Sequence, residues 1–179
     1  MFTKRPPPGR ESASTNDIYL AVDQSASMAV IDSVMQVVHV LFAGLWTGSV
    51  LFVVGAVLPA STAGSISAAA METISTRLSW LTRISALVFV ATGGHLAGTG
   101  YSAESLFGTG RGQLVVAMLV LWFVLTGLVE VGCKRLGGSA ADDDVAAAVE
   151  STRPIFLAAG VVAVLLLVDA GLLAAGVTW

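Results

Sequence analysis

IFLAAGVVAVLLLVDAGLLAAGVT, residues 155–178, contains one charged side chain, Asp169, in an otherwise uncharged run. Crossing the hydrocarbon core of a bilayer takes roughly 20 residues of helix, and this run is long enough. Backbone N–H and C=O groups in lipid must be satisfied within the segment, which selects helix, and no strict alternation of a barrel strand is present. Three further apolar blocks occur, at Ser33–Pro59, Leu81–Tyr101 and Gly112–Cys133. Of the 179 residues, 55% are hydrophobic and only 12% charged. A soluble domain usually carries about 25% charged residues. The sequence therefore predicts an all-α integral membrane protein, a four-transmembrane-helix antiparallel bundle over residues 28–179, multi-pass in the cell membrane.

The segments between the blocks are polar. Residues 1–27 include three consecutive prolines and lack the apolar core of a cleavable signal peptide, so they read as a disordered tail. Asp32 and Ser33 suit the N-terminus of the first helix, and Pro59 its end. The connection Ala60–Trp80 contains ISAAAMETISTRLSW, whose apolar spacing predicts a short interfacial helix between helices 1 and 2. SAESLFGTGRG (102–112) reads as a glycine-rich turn, and its lack of a following Lys and Ser/Thr excludes a phosphate loop. The loop before the last helix contains Asp142, Asp143 and Asp144, which suit the N-terminus of a short helix, and Pro154 suits the first turn of helix four. A single cysteine, Cys133, allows no intrachain disulfide. The net charge of −3 includes no basic patch, so no nucleic-acid partner is expected.

Lys and Arg near the helix ends set the expected orientation. The face that holds Arg77, Arg83, Lys134, Arg135 and Arg153 is predicted to be cytoplasmic. The opposite face has Arg111, with Lys4, Arg5 and Arg10 far out on the tail. Both termini then lie outside. Glu130, four residues before Lys134, is expected to pair with it.

The polar residues inside the blocks fall at similar depths. At about 1.5 Å per residue, His39 and His95 each lie roughly 9 Å from the outer face, on helices running in opposite directions. Met118 lies at the same level and Asp169 roughly 13 Å deep. Imidazole ligates copper, zinc or haem iron, a thioether suits Cu(I), and a carboxylate can orient a ligating histidine. His39, Ala43 and Thr47 repeat along one helix face, with Gly44 and Gly48 alongside; Ala91, His95 and Thr99 repeat along another, with Gly94 and Gly98. Small residues mark helix-packing faces in membranes, so both histidines are expected to point inward. The competing readings are structural. A membrane histidine can simply hydrogen-bond a neighbouring helix, Met118 can be packing, and Asp169 can bond a Thr or His. Trp46 and Trp122 read as core packing.

HVLFAGLWTGSVLF (His39–Phe52) resembles the first helix of the copper-resistance D (CopD) domain, whose motif runs His, small apolar residues, Leu-Trp, then Gly. LTRISALVFVATGGHLAGT (Leu81–Thr99) resembles the family's next helix, and FGTGRGQLVVAMLVLW (Phe107–Trp122) its following turn and helix. The resemblance covers residues 35–178. It implies a multi-helix membrane protein of copper uptake or handling and carries over His39 as the functional histidine; His95 stands on the depth argument alone. Two features depart from the family: the lysine often found in the helix after the turn is absent, and CKR (Cys133–Arg135) replaces its Asn-Arg ending.

Three functions follow as expectations. The first is copper handling or transport, with a metal site of His39, His95 and Met118 near the outer face and Asp169 as an orienting or pathway residue. The second is electron transfer through a b-type haem held by His39 and His95. The third is a structural subunit without a ligand. A homodimer and an extracytoplasmic copper-binding protein are the expected partners. No nucleophile–base pair or paired carboxylates are visible, so an enzyme is not expected.

Overall fold

A computed structural model describes residues 15–140 and 145–177, and every regular element among them is helical. In chain order these are α1 (Thr15–Phe52), a π-helical segment (Val53–Val57), α2 (Leu58–Thr62), α3 (Ala68–Gly100), α4 (Ala103–Gly108), α5 (Gly110–Ala140) and α6 (Val145–Ala174). Three helical stretches are long and apolar enough to cross a membrane: Tyr19–Thr62, Gly110–Gly137 and Val145–Ala174. α3 is 33 residues long but carries Glu72, Arg77 and Arg83 in its first half and four glycines from Gly93 onward, which dilute its apolar character.

The chain divides into two compact units, Met1–Val34 and Met35–Trp179. In the first, helix begins at Thr15, well before the expected start at Ser33, and Tyr19, Leu20, Val22 and Val30 are exposed. The polar run from Thr15 to Ser27 contains no proline or glycine, so nothing in it breaks a helix. The rest of the expected tail, residues 1–14, lies outside the described residues, as do Asp142–Asp144 and Thr178.

In the second unit Pro59 does not end the first helix. Proline lacks an N–H and its ring crowds the carbonyl four residues back. Immediately before it the ladder widens to π geometry, with the Leu58 N–H bonded to the Val53 carbonyl, and helix resumes to Thr62. The chain turns through Gly64, whose φ of 71° favours glycine. Pro154 likewise sits inside α6, not in its first turn. The expected interfacial helix is not separate. Ser67 caps α3 by accepting from the Ala70 N–H at 3.3 Å, and α3 then runs unbroken to Gly100, because Ala68–Trp80 contains helix formers and no breaker. The glycine-rich turn holds α4, closed by a reciprocal Ser102–Ser105 capping box. A methyl at Gly112 would run into the backbone of Ser105 and Leu106, so only glycine lets α5 start this close beneath α4.

α3 and α5 pack antiparallel and in step. Arg83 forks onto Glu130 through Nε and Nη2, both at 3.1 Å. Ser75 faces Gly137, and Arg111 Nε donates to the Tyr101 hydroxyl at 3.0 Å. Each step along α3 is matched by an equal step back along α5. Glu130 thus bonds across helices to Arg83 and not to Lys134. α5 and α6 pack most closely: the buried Phe156 ring lies on Gly132, where a methyl would come within 3.0 Å of it. Gly160 of α6 meets Val54 of the π segment. The core gathers Trp46, Val50, Val57, Met71, Leu125, Val129, Val149 and Phe156.

Candidate functional site

The seam between α1 and α3 is built from polar side chains. His39 Nδ1 and Thr92 Oγ1 are 2.8 Å apart. Thr92 Oγ1 also donates to the Val88 carbonyl at 2.7 Å. A hydroxyl has one proton, so Thr92 accepts from His39, and His39 carries its proton on Nδ1. Nε2 is left with its lone pair, the form in which imidazole ligates a metal. The same relay recurs farther along: Trp46 Nε1 donates to Thr82 Oγ1 at 3.0 Å, and Thr82 donates to the Leu78 carbonyl at 2.9 Å. Phe89 lies between the two relays, its ring centroid 5.1 Å from His39 and 5.6 Å from Trp46.

Gly93 sets the fit of the histidine. A methyl there would stand 3.1 Å from His39 Cε1 and 3.6 Å from Nδ1. His39 is half-buried against this gap. His95 is also half-buried, three residues beyond Thr92 on α3. That is about 4.5 Å farther along the helix axis, so the two histidines differ in level by roughly one turn.

On α1 the expected row faces inward, His39 and Ala43 half-buried and Thr47 buried, whereas on α3 only His95 of the expected row is half-buried. Gly44, Gly48, Gly94 and Gly98 are exposed with open space beside them, and Ala91 and Thr99 are exposed as well. The buried face of α3 runs through Leu78, Thr82, Ser85 and Thr92. On α3 small residues stand on several sides, at Ala91, Thr92, Gly93, Gly94, Gly98 and Thr99, so small size alone does not say which side packs. Thr92, Phe89 and Gly93 are the residues that sequence reasoning missed; their signal, a hydroxyl about one turn and an aromatic ring nearly two turns before His95, is common in apolar helices.

Met118 packs half-buried against the core, and the α3–α5 register brings it level with Gly94 and His95. Asp169 is 6% exposed on the inward face of α6. Trp46 is buried and Trp122 packs on the core, in line with expectation. Cys133 is a buried free thiol. Among the described residues no group of three or more His, Cys, Asp or Glu side chains is arranged to hold a metal ion, so His39, His95 and Asp169 do not form a single three-ligand cluster. No protein-family model, curated protein or solved structure matches the chain.

Proposed function

We propose that this membrane protein handles copper, taking up Cu(I) through His39 and His95 close to the outer face of the bilayer. The observation that carries the reading is the His39–Thr92–Val88 relay. Fixing Nδ1–H by a hydrogen bond sets the tautomer and aims Nε2, which is how ligating histidines are commonly held. The resemblance of His39–Phe52 to the copper-resistance D domain points the same way. Met118, level with His95, offers a thioether suited to Cu(I). In this reading α3 is the fourth crossing beside the three long apolar stretches, the link Ala63–Ser67 is cytoplasmic, and both termini are outside, as the Lys/Arg distribution favours.

A b-type haem between the two histidines fits less well. The His39 ring is packed onto Phe89 and against Gly93, and a macrocycle would have to displace both.

The test is copper stoichiometry of purified protein, anaerobic and with Cu(I) supplied, for wild type, His39→Ala, His95→Ala and the double variant. Either single change should remove most binding, and the double should add little, since ligands of one ion act as a unit. Full occupancy in the double variant would falsify the reading, and a haem absorption band in wild type would replace it with the electron-transfer one.

A further inference from the structure

Six buried hydroxyls in the second unit follow one habit. Thr47, Ser61, Ser75, Thr82, Thr92 and Thr152 each donate to a carbonyl three or four residues back in their own helix. The buried Trp46 finds Thr82. Asp169 and Trp122 break the pattern. Asp169 Oδ2 and Trp122 Nε1 are both buried and have no hydrogen-bond partner among protein groups. A polar group taken from water without a replacement bond is costly, and more so in a membrane interior.

The two groups sit on neighbouring helices. Counting outward from the Gly132–Phe156 contact, Asp169 on α6 comes level with Leu119 on α5, about one turn from Trp122. Both lie on inward faces. Asp169 continues the buried row Phe156, Ala159, Ala163 and Leu166, and Trp122 packs on the core one turn before Leu125. Ser85 Oγ also lacks a partner, but the α3–α5 register sets it beside Gly127 and Leu128, farther along α5, and it is not included.

The chemistry of the pair is complementary. An indole N–H only donates; a carboxyl oxygen accepts, and donates when protonated. A water between them would take the indole proton in a hydrogen bond and offer its own to the carboxyl, the two or more polar partners that a buried water needs. We propose that Asp169 and Trp122 form a proton-binding site in the membrane interior, with water joining the indole N–H to a carboxyl that takes up and releases a proton. The proton arrives from hydronium, which leaves as water, and no electron moves.

The other charged and titratable groups packed against α6 stand away from this level. On α5, Arg111 is at the start, bonded to Tyr101, while Glu130, Cys133, Lys134 and Arg135 lie toward the far end, Glu130 bonded to Arg83. The π segment and α2 carry no charged or titratable group. On α6 itself Glu150 and Arg153 pair near its start at 3.8 Å. His39 of α1 and His95 of α3 are the titratable side chains nearest this level. The site uses neither of them nor copper, so its failure and that of the copper reading are separable.

The test is infrared spectroscopy of the full chain in phosphatidylcholine vesicles without metal, across pH. A protonated-carboxyl band should appear in wild type, fade as pH rises, and vanish in Asp169→Asn. In Trp122→Phe the band should move in frequency, because the water loses its indole donor; a merely structural tryptophan would leave it in place. A second arm needs no variant: a hydrophobic carbodiimide, which adds to protonated carboxyls in apolar surroundings, should modify Asp169 in wild type, read by mass spectrometry of the α6 peptide. An unmodified Asp169, or a band unchanged in Asp169→Asn, overturns the proposal. A band unmoved in Trp122→Phe overturns the pairing.

Discussion

The α5–α6 seam and the α1–α3 seam hold helices together by different means. Phe156 seats on Gly132 with nothing polar between, while His39 reaches Thr92 and Trp46 reaches Thr82 through hydrogen bonds. In lipid the apolar effect gives little drive for helix association, so a close steric fit or an interhelical hydrogen bond has to supply it. The first solution places no reactive atom at the contact. The second leaves a histidine ring nitrogen oriented and available. The contrast separates a seam closed by steric fit alone from one whose polar groups suit the proposed copper site.

The largest expected effect comes from spoiling the apolar seam. Gly132→Val adds bulk where even a methyl would press on the Phe156 ring, and overpacking of this kind costs about 1–3 kcal/mol. Thermal melting in detergent should show a clear fall in Tm with copper stoichiometry per folded molecule unchanged. An unchanged melting point would mean that the Phe156 ring yields to the added bulk. Thr92→Val on the polar seam should behave in the opposite way. It keeps the shape, removes the acceptor of His39 Nδ1–H, and costs about 1 kcal/mol of stability. Copper affinity should drop about 10–100-fold, the usual effect of removing a residue that orients a ligand. Equal affinity by competition with a Cu(I) chelator would show that His39 does not need its partner. Smallest is Trp46→Phe, which removes one interhelical bond and leaves Thr82 still donating to Leu78. The expected loss is about 0.6 kcal/mol, the average for such bonds in membranes, with copper binding intact.

The apolar blocks made the helices around Val50, Leu125 and Leu166 legible in the sequence, since length and hydropathy alone constrain a membrane segment. Helix ends were not. Pro59 and Pro154 both lie within helix, because a wider turn or a neighbouring group can absorb the missing bond, whereas propensity rules treat proline as a boundary. The separate interfacial helix merged into α3 because nothing interrupts Ala68–Trp80. At the site, His39 and His95 are expected at one depth, whereas the His39–Thr92 bond sets His95 about one turn farther along. The partner of His39 depended on the α1–α3 register, and register is a property of two helices that neither sequence holds alone. Glu130 was assigned to Lys134 for the same reason: a local spacing rule sees only one helix, and Arg83 belongs to another.

The in-step pairing of α3 and α5 also bears on how this chain can change over generations. Arg83 with Glu130 near one end and Tyr101 with Arg111 at the other fasten the two helices at both ends of a shared stretch. Losing or gaining one residue between the fastenings would rotate everything beyond it by about 100°, at 3.6 residues per turn. Thr92 would swing away from His39, and only a matching insertion or deletion in α5 could restore the fastening. Point substitutions on the outer faces are open to drift, but the length of α3 between Arg83 and Tyr101 is tied to that of α5 between Arg111 and Glu130.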